Sequence, residues 1–251
     1  MNTFLKHLIL LFFLYPLNGF TQVEIESNKL LIPKSATSIN SYFVISKKDS
    51  TKLTPNQYKI NFIDPKGSDL DFFLLLTIEE NQSIKSPILF KHGTKKLEIY
   101  LDNGRVIKRK MFYPEIGSKQ LETEEIVLND TIYESRFNKL GKITYESRSN
   151  LKNKTLYYKS YDYDEKGNLQ ITVEENKLLG VSISSNYNNK TGILTENTYS
   201  DSYPNGHLKT LYPNGNFQIT EGNKIKYYNK DGKLIKSYFI EEEAPIKVPN
   251  N

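Results

Sequence analysis

Beyond residue 21 the chain carries two histidines, His92 and His207, and it has no cysteine anywhere. A zinc centre or an imidazole acid–base pair needs several donors brought together. These two lie in different halves, each beside a glycine (His92-Gly93 and Gly206-His207), so turn positions account for them. The stretch Asp162-Tyr-Asp164-Glu-Lys-Gly167 fills the first, third and sixth places of a calcium loop. Lys166 and Val173 then occupy the fifth and twelfth places, where ligands are required, and the EF-hand reading fails. Asp69 with Asp71, or Glu79 with Glu80, are carboxylate pairs of the kind glycosidic chemistry uses, yet nothing in their surroundings separates them from surface charge. There is no Gly-x-Ser-x-Gly elbow and no Gly-rich phosphate loop. The expectation is a protein that is not an enzyme, with no catalytic residues, no cofactor and no metal. Four Asn-x-Ser/Thr sequons, at Asn81, Asn129, Asn153 and Asn189, are chance products of a chain rich in those residues.

The residue type with functional potential is tyrosine. Thirteen of the eighteen tyrosines fall between Tyr133 and Tyr238. Tyrosine stiffens a thin sheet by cross-strand packing, and it also supplies large contact area with a polar tip for protein or glycan recognition. Tyr157, Tyr158, Tyr161, Tyr163, Tyr212, Tyr227 and Tyr228 are the candidate binding surface.

What positions them is a recurring turn phrase: an aromatic, two to four polar residues, glycine, one residue, then an aliphatic or aromatic. It reads Phe137-Asn-Lys-Leu-Gly141-Lys-Ile143, Tyr163-Asp-Glu-Lys-Gly167-Asn-Leu169, Tyr187-Asn-Asn-Lys-Thr-Gly192-Ile-Leu194, Tyr203-Pro-Asn-Gly206-His-Leu208, Tyr212-Pro-Asn-Gly215-Asn-Phe217 and Tyr228-Asn-Lys-Asp-Gly232-Lys-Leu234. Leaving out the inserted copy at Gly206, successive glycines are 26, 25, 23 and 17 residues apart, room for two strands and a second turn. Second turns are predicted at Ser149-Asn150 with Lys152-Asn153, at Glu175-Asn176-Lys177 and at Glu221-Gly222-Asn223. Glycine is the constant because it takes the positive φ that returns the chain into the next strand. Whether the aromatic and the later aliphatic share a face depends on bulges that the phrase does not reveal.

The segment from Ser202 to Phe217, continuing through Tyr227-Tyr-Asn-Lys-Asp-Gly-Lys-Leu-Ile-Lys236, resembles the MORN-variant repeats of bacterial YwqK-type antitoxin proteins. The copies at Phe137–Ile143 and Tyr161–Leu169 are as similar to the YD repeats of Rhs-type shell proteins. The resemblance covers about residues 133–238 and none of the N-terminal half. It implies an elongated sheet of hairpins without catalytic residues.

Residues 1–21 have the layout of a secretory signal peptide: Lys6 and His7, an apolar stretch from Leu8 to Leu17, then Asn18-Gly19. The h-region is too short to span a bilayer, and cleavage is expected near Thr21 or Gln22. The longest later apolar run, Phe72 to Ile78, reads as a buried strand, leaving the mature chain without a transmembrane helix. Formal charge is +5, and losing Lys6 leaves 33 basic against 29 acidic residues, +4, with both signs interleaved. That excludes a basic stripe for nucleic acid.

The expected fold is all-β. A small β-sandwich-like domain over residues 23–114 has strands at Lys29–Ile32, Ser41–Ser46, Gln57–Phe62, Asp71–Ile78, Ile88–Phe90, Lys96–Leu101 and Val106–Phe112. A linker over 115–130 follows, where Glu122–Val127 could make a helical turn, then a single-layer antiparallel β-hairpin repeat sheet over 131–240 and a Pro-punctuated tail over 241–251. The functional expectation is an exported protein, periplasmic, surface-bound or secreted, that binds another protein or a cell-envelope component. The alternative is an immunity or antitoxin-type protein that neutralises an exported toxin.

Overall fold

A computed structural model describes residues 22–240 except 34, 64, 65, 67, 68, 114 and 116–118; the expected signal peptide and tail fall outside the described residues. Within them the chain is all β, with a three-residue 3-10 turn at Ser27–Lys29 and no α-helix. No helix there is long and apolar enough to cross a membrane. The chain divides after Gln120 into two units.

The N-terminal unit contains β1 (Val23–Glu26), β2 (Leu30–Leu31), β3 (Ser46–Lys47), β4 (Asn56–Ile63), β5 (Asp69–Ile78), β6 (Ile84–Lys91), β7 (Thr94–Asp102) and β8 (Arg105–Phe112). Strands β4 to β8 pair antiparallel with their sequence neighbours, and β1 pairs parallel to β4, with Val23 opposite Tyr58. Alternate residues of this sheet, Tyr58, Ile60, Leu74, Leu76, Ile78, Leu97, Ile99 and Val106, form the core. Their other side is met by Leu30, Ala36, Phe43, Ile45 and Leu53 from the segment between β1 and β4. Burying apolar area on that one face stabilises the unit by about 25 cal/mol per Å².

The layer over the sheet differs from the two strands expected at Lys29–Ile32 and Ser41–Ser46. Only Leu30–Leu31 and Ser46–Lys47 pair with each other, and Tyr42 makes one isolated bridge to Arg105. Serine chemistry is the reason: Ser41 Oγ lies 2.6 Å from both the Ser35 and Ser38 carbonyls, and Asn40 adopts φ 64°. Local side-chain bonds of this kind compete with a ladder. The apolar run Phe72 to Leu76 does lie inside the sheet, but from Phe73 onward its residues alternate between half-buried and buried. The outer half is covered by ring contacts, with Phe73 stacked on Phe90 at 4.7 Å and the Lys59 ammonium 5.4 Å above Phe73.

The second unit is a run of antiparallel hairpins: β9 (Leu121–Leu128), β10 (Thr131–Phe137), β11 (Ile143–Asn150), β12 (Thr155–Tyr163), β13 (Leu169–Asn176), β14 (Val181–Asn188), β15 (Ile193–Ser200), β16 (Tyr203–Leu211), β17 (Phe217–Glu221), β18 (Lys224–Tyr228) and β19 (Leu234–Phe239). Each strand pairs with its sequence neighbour. Strand β9 occupies the place of the expected linker, and Glu122–Val127 is extended where a helical turn was expected. The alternation is hidden in the sequence because the inward position, Thr123, is polar, yet it is buried. Among the described residues of this unit only Ile132 and Ile225 are buried apolar side chains, while Ser147, Thr172 and Ser185 are buried although polar. Ser147 stands between Glu134 and Tyr158, and Thr172 and Ser185, opposite each other, stand between Tyr161 and Glu196, so side-chain pairs hold this sheet together where the other unit uses a core.

The phrase glycines behave as turn residues. Gly141, Gly167, Gly215 and Gly232 have φ between 78° and 83°, and each N–H bonds the carbonyl three residues back. The phrase leaves the shared face open, and the register settles it: Phe137 is opposite Ile143, Tyr163 opposite Leu169 and Tyr228 opposite Leu234. One extra residue, Thr144, Gln170 or Ile235, restores parity on the returning strand.

A second constant accompanies glycine. Asn138, Asn150, Asp164, Asn176, Asn188 and Asn229 each open a turn and accept backbone N–H bonds two to four residues ahead. At Asn150 the left-handed position is filled by Asn153 (φ 59°) without any glycine. The Asx side chain thus defines the turn as much as the glycine does.

Candidate functional site

Strand β12 alternates, so Tyr157, Tyr161 and Tyr163 lie on one face and Tyr158 on the other. The row Tyr187, Leu194, Leu211, Phe217, Tyr228, each residue opposite the next, carries Tyr228 to the Tyr157 face. The row Asp162, Ile171, Asn186, Thr195, Thr210, Gln218, Tyr227 carries Tyr227 to the Tyr158 face, and Tyr212 stacks there on Tyr227. The seven tyrosines expected as one surface are therefore two sets on opposite sides of a sheet.

On the Tyr157 face, Arg148 stands opposite both Tyr133 and Tyr157. Its guanidinium carbon is 5.8 Å and 5.1 Å from the two ring centroids. One row along, the Lys159 ammonium pairs with Glu174 at 3.1 Å and sits 5.7 Å from the Tyr161 ring. Tyr161 donates its hydroxyl to Glu146 at 2.5 Å; burial first, and that bond to a carboxylate second, push its ionisation well above the ordinary tyrosine range. Tyr163 donates to the Ile143 carbonyl at 2.7 Å. Tyr133 and Arg148, which the sequence reading did not single out, complete this ladder. Their signal was available as Tyr133, Arg148 and Tyr157 at hairpin-matched spacing, but reading it needs the bulge that skips Leu156.

On the opposite face Tyr145 stacks on Tyr158 at 6.1 Å with Arg136 4.7 Å from the Tyr145 ring. Farther along, Tyr212, Tyr227 and Tyr238 stack in sequence at 6.2 Å and 6.4 Å. The Tyr212 and Tyr227 hydroxyls are 3.2 Å apart, and Tyr212 also bonds Gln218. The hydrogen bond with Tyr227, with burial behind it, pushes Tyr212 up to about 12. Ionisation raised in the folded state means that the proton's contribution to stability is complete below about pH 10 and is lost as pH rises towards 12. In an NMR titration of isotope-labelled tyrosine, the Tyr212 ring is expected to shift near pH 12 and Tyr227→Phe to move that midpoint down. A midpoint near 10 in the unsubstituted chain would contradict the bond.

The other chemical candidates have structural partners. The Asp71 carboxylate meets His92 Nδ1, and both exposed residues hold left-handed backbone, at φ 55° and 48°, Asp71 near the start of β5 and His92 in the turn after β6. Asp69 caps the Asp71 N–H at 2.7 Å. Glu79 takes Lys85 at 2.8 Å and Ser83 at 2.6 Å, with Lys85 the main cause of its lowered ionisation. His207 lies 4.0 Å from Glu221, which also binds Lys226 at 2.8 Å. In the calcium-like stretch, Asp164 accepts the Asn168 side chain and backbone, which hold it below the usual carboxylate range. No group of three or more metal-ligating side chains occurs among the described residues. The sequon asparagines also serve turns, Asn129 and Asn153 at φ 47° and 59°, Asn81 by capping Ser83, and Asn189 by donating its side chain to the Leu169 carbonyl at 3.1 Å.

No family model matches the sequence, and no curated protein matches it. Among solved structures, a GtfA/B complex bound to UDP and GlcNAc aligns at 17% identity over 39% of this chain and 19% of that one, with a TM-score of 0.16. The TCP10 domain of Danio rerio CPAP in complex with a STIL peptide aligns at 13% identity over 72% of this chain and 99% of that one, with a TM-score of 0.21. The same wild-type domain without the peptide gives 16% identity, 71% and 98% coverage and a TM-score of 0.20.

Proposed function

We propose that this is an exported, non-enzymatic β-repeat protein whose hairpin sheet binds another protein or a cell-envelope component. In this reading the N-terminal unit is the sandwich-like domain, its irregular covering segment serving as the second layer. Residues 133–238 are MORN- or YD-like repeats in a single layer. The observation that carries the binding role is the ladder Tyr133, Arg148, Tyr157, in which an exposed guanidinium is held between two rings. Each such contact contributes about 0.5–1 kcal/mol at an exposed site. Its larger effect is to order three side chains before a partner arrives, which lowers the entropy lost on binding. Tyrosine and arginine are also the residue types that dominate interface energetics.

The two-faced arrangement makes the test specific. Arg148→Ala with Tyr157→Ser removes the ladder, while Tyr158→Ser with Tyr227→Ser alters the opposite face. Affinity capture from envelope fractions, quantified by mass spectrometry, is expected to show at least roughly tenfold loss of a partner for the first pair and little for the second. Equal recovery by both pairs and by the parent chain would make the tyrosines structural and remove the proposal.

A further inference from the structure

Strand β6 runs antiparallel to β7 from Lys91 opposite Thr94 to Ile88 opposite Glu98, and there the ladder stops. The next position on β6 is Pro87, which has no N–H to give and whose side chain is fully buried. On its far side the pairing does not resume. Ile84 and Lys85 remain paired to β5, opposite Ile78 and Thr77, and Leu101 and Asp102 remain paired to β8, opposite Val106 and Arg105. The two strands part like an opened seam, each still held by its outer neighbour.

A cleft of about 830 Å³ fills the parting. Phe43 and Ile99, both 3% exposed, reach it from the core, with Ile84, Ile88, Leu101 and Ile107 around them. The charges at its rim are already matched within the chain: Lys85 binds Glu79 at 2.8 Å, and Glu98 binds Lys95 at 2.5 Å and takes the Tyr100 hydroxyl at 3.1 Å. The volume lies in the range of sites that hold small ligands, about 300–1,000 Å³. Its walls are distinctive in being two strand edges, and a strand edge is matched by backbone amides at strand spacing.

We propose that this cleft is a peptide-binding site that takes a neutral, extended segment of another protein as an added strand between β6 and β7. Backbone groups of Leu101 and Ile84, which point away from the outer neighbours β8 and β5, supply the hydrogen bonds, and the apolar floor takes alternate side chains of the segment. The paired rim charges disfavour a charged ligand, because it would have to break an existing ion pair without replacing it. At ~3.3 Å per residue the segment is short, roughly four to six residues. The site lies wholly in the N-terminal unit and is independent of the tyrosine ladder, so failure of either reading leaves the other standing.

The test pans a random heptapeptide display library on the full mature chain and on two variants that fill the cleft, Ile107→Trp inside it and Lys85→Trp at the exposed rim. The best peptide is then synthesised with capped ends, and its affinity is measured by calorimetry beside an analogue N-methylated at alternate amides. Expected are uncharged sequences with alternating apolar residues on the parent chain and at least about tenfold weaker binding both to the filled variants and for the methylated analogue. If Ile107→Trp does not fold, Lys85→Trp carries the comparison. No enrichment on the parent chain, equal binding to a folded filled variant, or an N-methylated analogue that binds as tightly would each overturn the proposal.

Discussion

Changing Ile60 to alanine is expected to destabilise the N-terminal unit by about 2–5 kcal/mol. Ile60 is 0% exposed at the centre of the core cluster, between Tyr58 on its own strand and Leu74 directly opposite on β5. Removing its outer carbons loses transfer free energy and leaves a cavity that two sheet strands and a segment rich in turns cannot readily close. Native-state hydrogen exchange reads the result by region. Amides of β4 and β5 should exchange at least about thirtyfold faster, since ~1.4 kcal/mol is a factor of ten. Amides of β13 and β14 should hardly change, because the second unit has its own pairs. Equal acceleration in both places would show that the units unfold together and would remove the contrast between a core-held and a pair-held sheet. For comparison, Ile171→Ala, at a residue 39% exposed, should cost well under about 1.5 kcal/mol.

What could be read from the sequence is what local sterics decide. Glycine after a polar run must turn the chain, and Gly141, Gly167, Gly215 and Gly232 do so with positive φ. The strands expected at Gln57–Phe62 and Asp71–Ile78 fall within β4 and β5, although the unbroken apolar run Phe72 to Leu76 does not mark which of its residues face the core. Less legible was whatever depends on a neighbour distant in sequence. The face on which each tyrosine lies turns on single bulged residues such as Leu156 and Gln170, and a bulge is a property of two strands together. The polar strand Leu121–Leu128 reads as a linker because a sheet with little packed behind it accepts threonine and glutamate where a core would not. The covering segment of the N-terminal unit pairs with β8 only around Ser41–Phe43, because the Ser41 hydroxyl and N–H turn back to the Ser35 and Ser38 carbonyls and hold the preceding residues in turns. The Asx residues that open the turns were visible at twelve- to fourteen-residue spacing from Asn138 to Asn188, but the glycines drew the reading to a longer period.

The tetrapeptide Tyr-Pro-Asn-Gly occurs twice, and its two copies should respond differently from one another and from the other phrase glycines. At Tyr212–Gly215 it is a hairpin turn, with the Gly215 N–H bonded to the Tyr212 carbonyl. At Tyr203–Gly206 it lies within β16, where pairing jumps from Ser200 opposite Tyr203 to Thr198 opposite His207, and the hairpin is made by Asp201-Ser202 instead. Gly206 has φ 85°, and a Cβ there would lie 2.8 Å from Asn197 Oδ1 and 3.0 Å from the Tyr199 ring. Gly232 has φ 80° and nothing within 4 Å. Gly232→Ala therefore isolates the left-handed backbone penalty, about 1–2 kcal/mol. Gly206→Ala adds overpacking of about 1–3 kcal/mol against a pair that is itself bonded, since Asn197 donates to the Tyr199 hydroxyl at 2.9 Å. Urea unfolding should place Gly206→Ala lower in stability than Gly232→Ala by at least about 1 kcal/mol. Asn197→Ala in the Gly206→Ala background should recover part of that difference, because it removes the atom nearest the added methyl. If the two alanine variants are equally stable, the bulge at Gly206 has yielded, and the Tyr203–Gly206 copy does not owe its place in the strand to a fitted contact.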